Sequence, residues 1–177
     1  MSFFRIGRRS AAIAVVAALC AGIAVAPAAT RYGTAPAAIT KSGVGGVKLG
    51  SSYTKLRQKK LIGKIRPGCE LGGPNTRSAP LKAPLKGQVN FTLTSPRKVT
   101  DITISSGATA KGVGIGATIP DIQAAYPKAK VDHSTDQTFL LTFVRIPKTG
   151  GGPFVFGVDT TTKKTTLIGV PFIAVCD

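Results

Sequence analysis

The 177-residue chain is strongly basic, with 24 Lys and Arg against seven Asp and Glu, and it carries one His, three Cys, three Tyr and no Trp. Outside the N-terminal 28 residues there are two Cys and one His, too few to fill a four-ligand zinc site, and that single His is the sole candidate for any His-based mechanism. The scarcity of aromatic side chains argues against specific single-strand nucleic-acid binding, which needs stacking platforms between the cations.

The N-terminus reads as an export signal. Arg5, Arg8 and Arg9 give a positive opening, residues 11–26 are wholly Ala, Val, Ile, Leu, Gly and Cys, and Ala26-Pro27-Ala28 supplies the small residues a signal peptidase cuts after. Cleavage after Ala28 is expected, rather than retention as an anchor. Leu19 stands where a lipid-attachment signal at Cys20 needs a small residue, and Arg8-Arg9 alone does not define twin-arginine export. Losing residues 1–28 removes three cations and no acid, so the remainder stays basic and is long enough for one domain with a core. Residues 29–43 are small and polar without periodicity, which predicts a flexible leader.

An internal similarity follows. Gly46-Val47-Lys48-Leu49-Gly50-Ser51-Ser52 returns as Gly112-Val113-Gly114-Ile115-Gly116-Ala117-Thr118, an offset of 66. The same offset aligns Leu56 with Ile122, Val89 with Val155, Arg97-Lys98 with Lys163-Lys164, Ile102 with Ile168 and Ile104 with Val170. This predicts two repeats, 44–110 and 111–177, within one compact domain.

Each repeat opens on a short apolar segment and continues into a helix. The first helix is expected from Ser52 to Ile62, with Tyr53, Leu56 and Leu61 on one stripe. In the second, Thr118 serves as N-cap, Asp121 completes a capping box, Pro120 sits in the first turn and Pro127 ends the helix. Alternating β-branched runs follow at 89–94, 99–105, 139–146, 154–159 and 165–175, with turns at 95–97 and 160–163. The tandem Ala-Pro-Leu-Lys at 79–86 reads as an extended loop. The fold class expected is α+β: two tandem helix-plus-antiparallel-hairpin repeats forming one sheet, with the helices on one face and the other face open.

The segments Val47-Lys48-Leu49-Gly50-Ser51-Ser52 and Val113-Gly114-Ile115-Gly116-Ala117-Thr118, each with its following helix and hairpins, resemble the β-lactamase-inhibitor-protein architecture and the related small outer-membrane assembly lipoproteins. A Cys after the first helix and another in the last strand are also similar to many secreted actinobacterial proteins of unknown role. The resemblance covers residues 44–177 and implies non-catalytic binding through the sheet face.

Few residues point to other chemistry. Once the signal is removed, Cys69 and Cys176 form an even pair, and outside the cell such a pair reads as one disulfide. Closing a loop of roughly a hundred residues contributes about 5 kcal/mol in the chain-entropy model. Gly112 to Ala117 formally matches a dinucleotide fingerprint, with Asp132 at the right distance, but the short helix and the absence of a parallel β-α-β pattern argue for a tight turn. Asp132-His133-Ser134 with Asp136 has triad residue types in adjacent loop positions, where a triad needs separate converging segments.

No catalytic residue, cofactor or metal is assigned. Lys55, Arg57, Lys59, Lys60, Lys64 and Arg66 cluster on and after the first helix as candidates for polyanion binding. The functional expectation is a secreted or envelope-associated, non-enzymatic binding module. Its partner is a protein or an anionic envelope polymer, reached through the open sheet face or the basic helix, with no specific nucleic acid and a membrane only through an uncleaved signal. The rival readings are purely electrostatic attachment to the envelope and a small secreted hydrolase.

Overall fold

A computed structural model describes residues 35–70 and 73–175. The expected signal, Cys20 and Cys176 lie outside the described residues.

The chain is mostly β, which corrects the α+β expectation of one sheet with helices covering it. The first sheet collects β1 (Ala37–Thr40), β2 (Gly43–Val44), β3 (Val47–Lys48), β8 (Ala108–Ala110) and β9 (Val113–Gly114) in the order β3-β2-β1-β8-β9. Only the β1–β8 pairing is parallel. The second sheet is wholly antiparallel and runs β10 (Lys130–Asp132), β11 (Leu141–Ile146), β12 (Phe154–Asp159), β13 (Thr165–Val170), β7 (Val99–Ser106), β6 (Lys86–Phe91), β5 (Arg77–Pro80), β4 (Arg66–Pro67). Three short helices complete the described residues: α1 (Tyr53–Gln58), α2 (Ile119–Ala125) and α3 (Asp136–Phe139).

The reason for the correction lies in the covering layer. Each of the two longer helices buries a single side chain, Leu56 from α1 and Ile122 from α2. Two short helices cannot cover eight strands, so the small sheet supplies the rest through Ile39, Val44, Val47, Ala108, Ala110 and Val113. These side chains meet the inner face of the large sheet at Val89, Ile102, Ile104, Val144, Phe156 and Ile168. Burying a Leu or Ile contributes roughly 1.5–3 kcal/mol, so this layer is where most of the stability resides. The leader expectation also changes: β1 lies inside residues 29–43 because Ile39 is buried and small Ala37 and Ala38 pair closely with β8.

The two halves repeat the same local bonds. Gly50 and Gly116, at φ 75° and 89°, turn the chain into α1 and α2 where a side chain would be strained. Gly50 N–H donates to Val99 O at 2.8 Å and Gly116 N–H to Thr165 O at 2.8 Å; Val99 N–H returns to Ser51 O and Thr165 N–H to Ala117 O. Ser52 caps α1 by accepting from Lys55 N–H, and Thr118 caps α2 in a full capping box with Asp121. At the centre of the large sheet Thr103 pairs with Gly169, flanked by Ile102 with Val170 and Ile104 with Ile168, so the pairing is symmetric about that residue pair.

The alignment of Val89 with Val155 is displaced by one. Val89 enters the main core, whereas Val155 faces the other side and Phe156 takes the inner place. The first helix is also shorter than expected. Lys60 adopts a left-handed backbone (φ 56°), and the Arg57 guanidinium donates to Ile62 O at 2.9 Å, folding the chain back after Gln58. The run 79–86 is no loop: it forms the end of β5, a turn that buries Leu81 and Leu85, and the start of β6.

Candidate functional site

Because side chains alternate across a strand, the residues between the core positions of the large sheet form its outer face. On the β4–β7 half this face is polar. Gln88 stands opposite Thr103, and Ser78 stands beside Arg66 and Asn90. Asn90 donates to Asp101 Oδ1 at 2.7 Å, and Thr100 donates to Oδ2 at 2.9 Å. Burial pushes the Asp101 carboxyl above its ordinary value, and these two hydrogen bonds pull against that shift. On the β10–β13 half the outer face holds an apolar cluster, Leu141, Phe143 and Val155 packed with Leu167 and Phe139, bordered by the Arg145–Asp132 ion pair.

The segment after β13 folds back over this face. Gly169 makes the reversal feasible, since a Cβ there would collide with the Phe172 carbonyl oxygen. Ile173 then covers the apolar half, and the chain reaches Val175, whose carbonyl oxygen lies 3.8 Å from the Cys69 sulfur. A cavity of about 600 Å³ opens beside this strap, across the seam between the halves. One wall carries Arg66, Gln88 and Thr103; the other carries Phe139, Leu141 and Leu167. A smaller cavity of about 340 Å³, lined by Cys69, Asn90 and Asp101, also borders Val175.

Two features mark the larger cavity. The Thr103 hydroxyl is buried and has no hydrogen-bond partner among the described residues, a costly state for a polar group. Arg66 is the single charged residue lining the cavity among those described, and among them its guanidinium has no acidic partner and one long 3.4 Å contact, to Gln88 Oε1.

The six sequence-selected cations do not form one patch. Lys55, Lys59, Lys60 and Lys64 are exposed, and α1 packs by Leu56 into the inner core. Arg57 is half-buried and donates to Ile62 O, while Arg66 stands on the outer face at the cavity. Among the described residues the ion pairs are His133 with Asp136 at 2.8 Å and Arg145 with Asp132 at 2.9 Å, so none of the six has an acidic partner.

The acids serve their own loops. Ser134 hydroxyl and backbone donate to Asp132, which with help from Arg145 brings its carboxyl down to about 2. Thr118 and Thr162 likewise hold Asp121 and Asp159 below the usual range. Asp136 is lowered chiefly by His133. In the Asp132–Asp136 turn, Ser134 bonds Asp132 at 2.6 Å whereas His133 bonds Asp136, so the hydroxyl and the imidazole engage different carboxylates. A hydrolase triad instead has the imidazole between nucleophile and acid.

The amides of the Gly-rich turn are also engaged, Gly116 N–H with Thr165 O and Ala117 N–H with Gly114 O, leaving no cradle for a phosphate there. Among the described residues no group of three His, Cys, Asp or Glu could hold a metal, and no helix is long and apolar enough to cross a membrane.

Sequence reasoning missed Thr103, Gln88, Phe139 and Leu167. Thr103 read as an ordinary alternating position of the run 99–105 and Gln88 lay just outside the expected run 89–94, and only the fold-back of residues 171–175 makes their face concave. Comparison with protein-family models, curated proteins and solved structures gives no match for this chain.

Proposed function

We propose that this chain is an exported, non-catalytic binding module that holds its ligand on the outer face of the eight-stranded sheet, in the cavity at the seam. The observation that carries the reading is the cavity itself: a concave space with an apolar wall, a few convergent polar groups and a buried hydroxyl lacking a partner. Export is read from residues 1–28. A bridge between Cys69 and Cys176 is part of the proposal, supported by the short distance from the Cys69 sulfur to Val175, the residue before Cys176. It would fasten the strap that walls the cavity.

The test is a thermal-shift survey of chemically diverse small molecules on the native protein and on Ser105→Trp. Ser105 is exposed and lines the cavity, so the substitution plugs the space without touching the core. Compounds that raise the Tm of the native protein and not of the plugged variant are expected. A ligand at a hundred times its Kd stabilises by about 2.7 kcal/mol, well within reach of the assay. Shifts that survive the plug, or no shifts at all, contradict the reading.

A second reading, electrostatic attachment to anionic envelope polymers, is favoured by Lys55, Lys59 and Lys60, which are exposed and have no acidic partner among the described residues. Retention on isolated envelopes would then fall steeply as salt rises, and Lys55→Gln with Lys59→Gln and Lys60→Gln would release the protein. Retention unchanged by salt excludes it.

A further inference from the structure

We infer that the cavity takes an amphiphilic anion, an apolar chain or ring ending in a carboxylate-type head. The inference rests on the binding reading above and adds the ligand's chemistry to it. The two walls differ in kind, and they differ because the seam joins two dissimilar outer faces. Across β4, β6 and β7 lie Arg66, Gln88 and Thr103, a cation followed by two neutral hydrogen-bonding groups. Across β13 and β11 lie Leu167 and Leu141, extended by Phe139 from α3, with no charge among them.

A polyanion would leave the apolar wall uncovered, and a simple hydrocarbon would leave the guanidinium and the Thr103 hydroxyl unanswered. A cation would meet Arg66 with nothing to offset the repulsion, because no acid lines the cavity among the described residues. An amphiphilic anion satisfies both walls at once. Its head can accept from the guanidinium in a charge-assisted, two-pronged geometry, displacing the long contact to Gln88. The volume of about 600 Å³ suits a small molecule rather than a folded partner.

Calorimetry with three amphiphiles of one tail length tests this on the intact exported protein: octanoate, octyl glucoside and octyltrimethylammonium, each below its micelle concentration. Octanoate alone should bind well, and Arg66→Gln should weaken it roughly 10- to 100-fold, the scale of a lost charge-assisted hydrogen bond. The triple α1 variant, Lys55→Gln, Lys59→Gln and Lys60→Gln, should leave octanoate affinity unchanged.

Equal or tighter binding of the neutral or cationic amphiphile overturns the anionic assignment while the cavity reading stands. Octanoate binding that ignores Arg66→Gln, or that disappears in the α1 variant, overturns it too. Should none of the three bind while the thermal-shift survey still finds ligands blocked by Ser105→Trp, the ligand class is wrong. Should neither experiment find a ligand, the binding reading falls with it.

Discussion

Replacing Thr103 by Val keeps the branched shape of the side chain and removes its hydroxyl. The hydroxyl is buried, it has no partner among the described residues, and the residue is only 6% exposed in the middle of the large sheet. A buried polar group without a partner costs about 1–3 kcal/mol, and the methyl that replaces it returns part of the transfer free energy of a buried carbon, up to about 0.8 kcal/mol. Thr103→Val should therefore stabilise the ligand-free protein by about 1–2 kcal/mol. The gain is read as a higher urea midpoint at unchanged m-value. The same variant should bind octanoate several-fold more weakly, since the hydroxyl is assigned to the ligand. Stability and binding move in opposite directions, which few structural roles would produce. A Thr103→Val protein destabilised by about 1 kcal/mol or more would show the opposite, that the hydroxyl has a partner in the folded state.

Leu56→Ala and Ile122→Ala occupy matched, fully buried places under the two halves and should each cost about 2–5 kcal/mol in urea unfolding. Gly169→Ala should lift the strap off the outer face, because the new Cβ meets the Phe172 carbonyl; amide exchange at 171–175 should accelerate while α1 and α2 stay protected. Stability against pH should show two opposite contributions. Asp101 is raised in the folded state, so its ionisation lowers stability as pH climbs from its unfolded value near 3.8 through the higher folded value, and Asp101→Asn should remove that decline. Asp132 is depressed to about 2, so its contribution is complete above 3.8 and is lost as pH falls toward 2, a loss that Asp132→Asn should abolish. Thiol labelling of the denatured, unreduced protein should find neither Cys69 nor Cys176 reactive; labelling of both would exclude the proposed bridge.

Local signals were legible wherever the physics is local. The capping box of Thr118 and Asp121, the Pro127 stop and the strand at 154–159 depend on neighbouring residues, and the fold realises them. The class was not legible, because the small sheet is assembled from strands of two to four residues, too short for any period to register. Its parallel pairing of β1 with β8 joins segments about seventy residues apart, and no local pattern announces it. The one-residue displacement between Val89 and Val155 has the same origin. Both are apolar β-branched residues, but the period-two rule sends them to opposite faces, and only pairing with the next strand fixes which. The site was the least legible part. Arg66 read as one cation in a cluster with Lys55 and Lys59, although β4 carries it to the other side of the large sheet.

Where a ligand meets the molecule decides whether the outer face of the large sheet is a binding site. Amide chemical-shift mapping of the protein titrated with octanoate answers that directly. The changes should concentrate at Gln88, Thr103, Phe139 and Leu167 on the outer face and saturate together. Changes centred instead on the lysines of α1, or spread evenly over the surface without saturation, would contradict it.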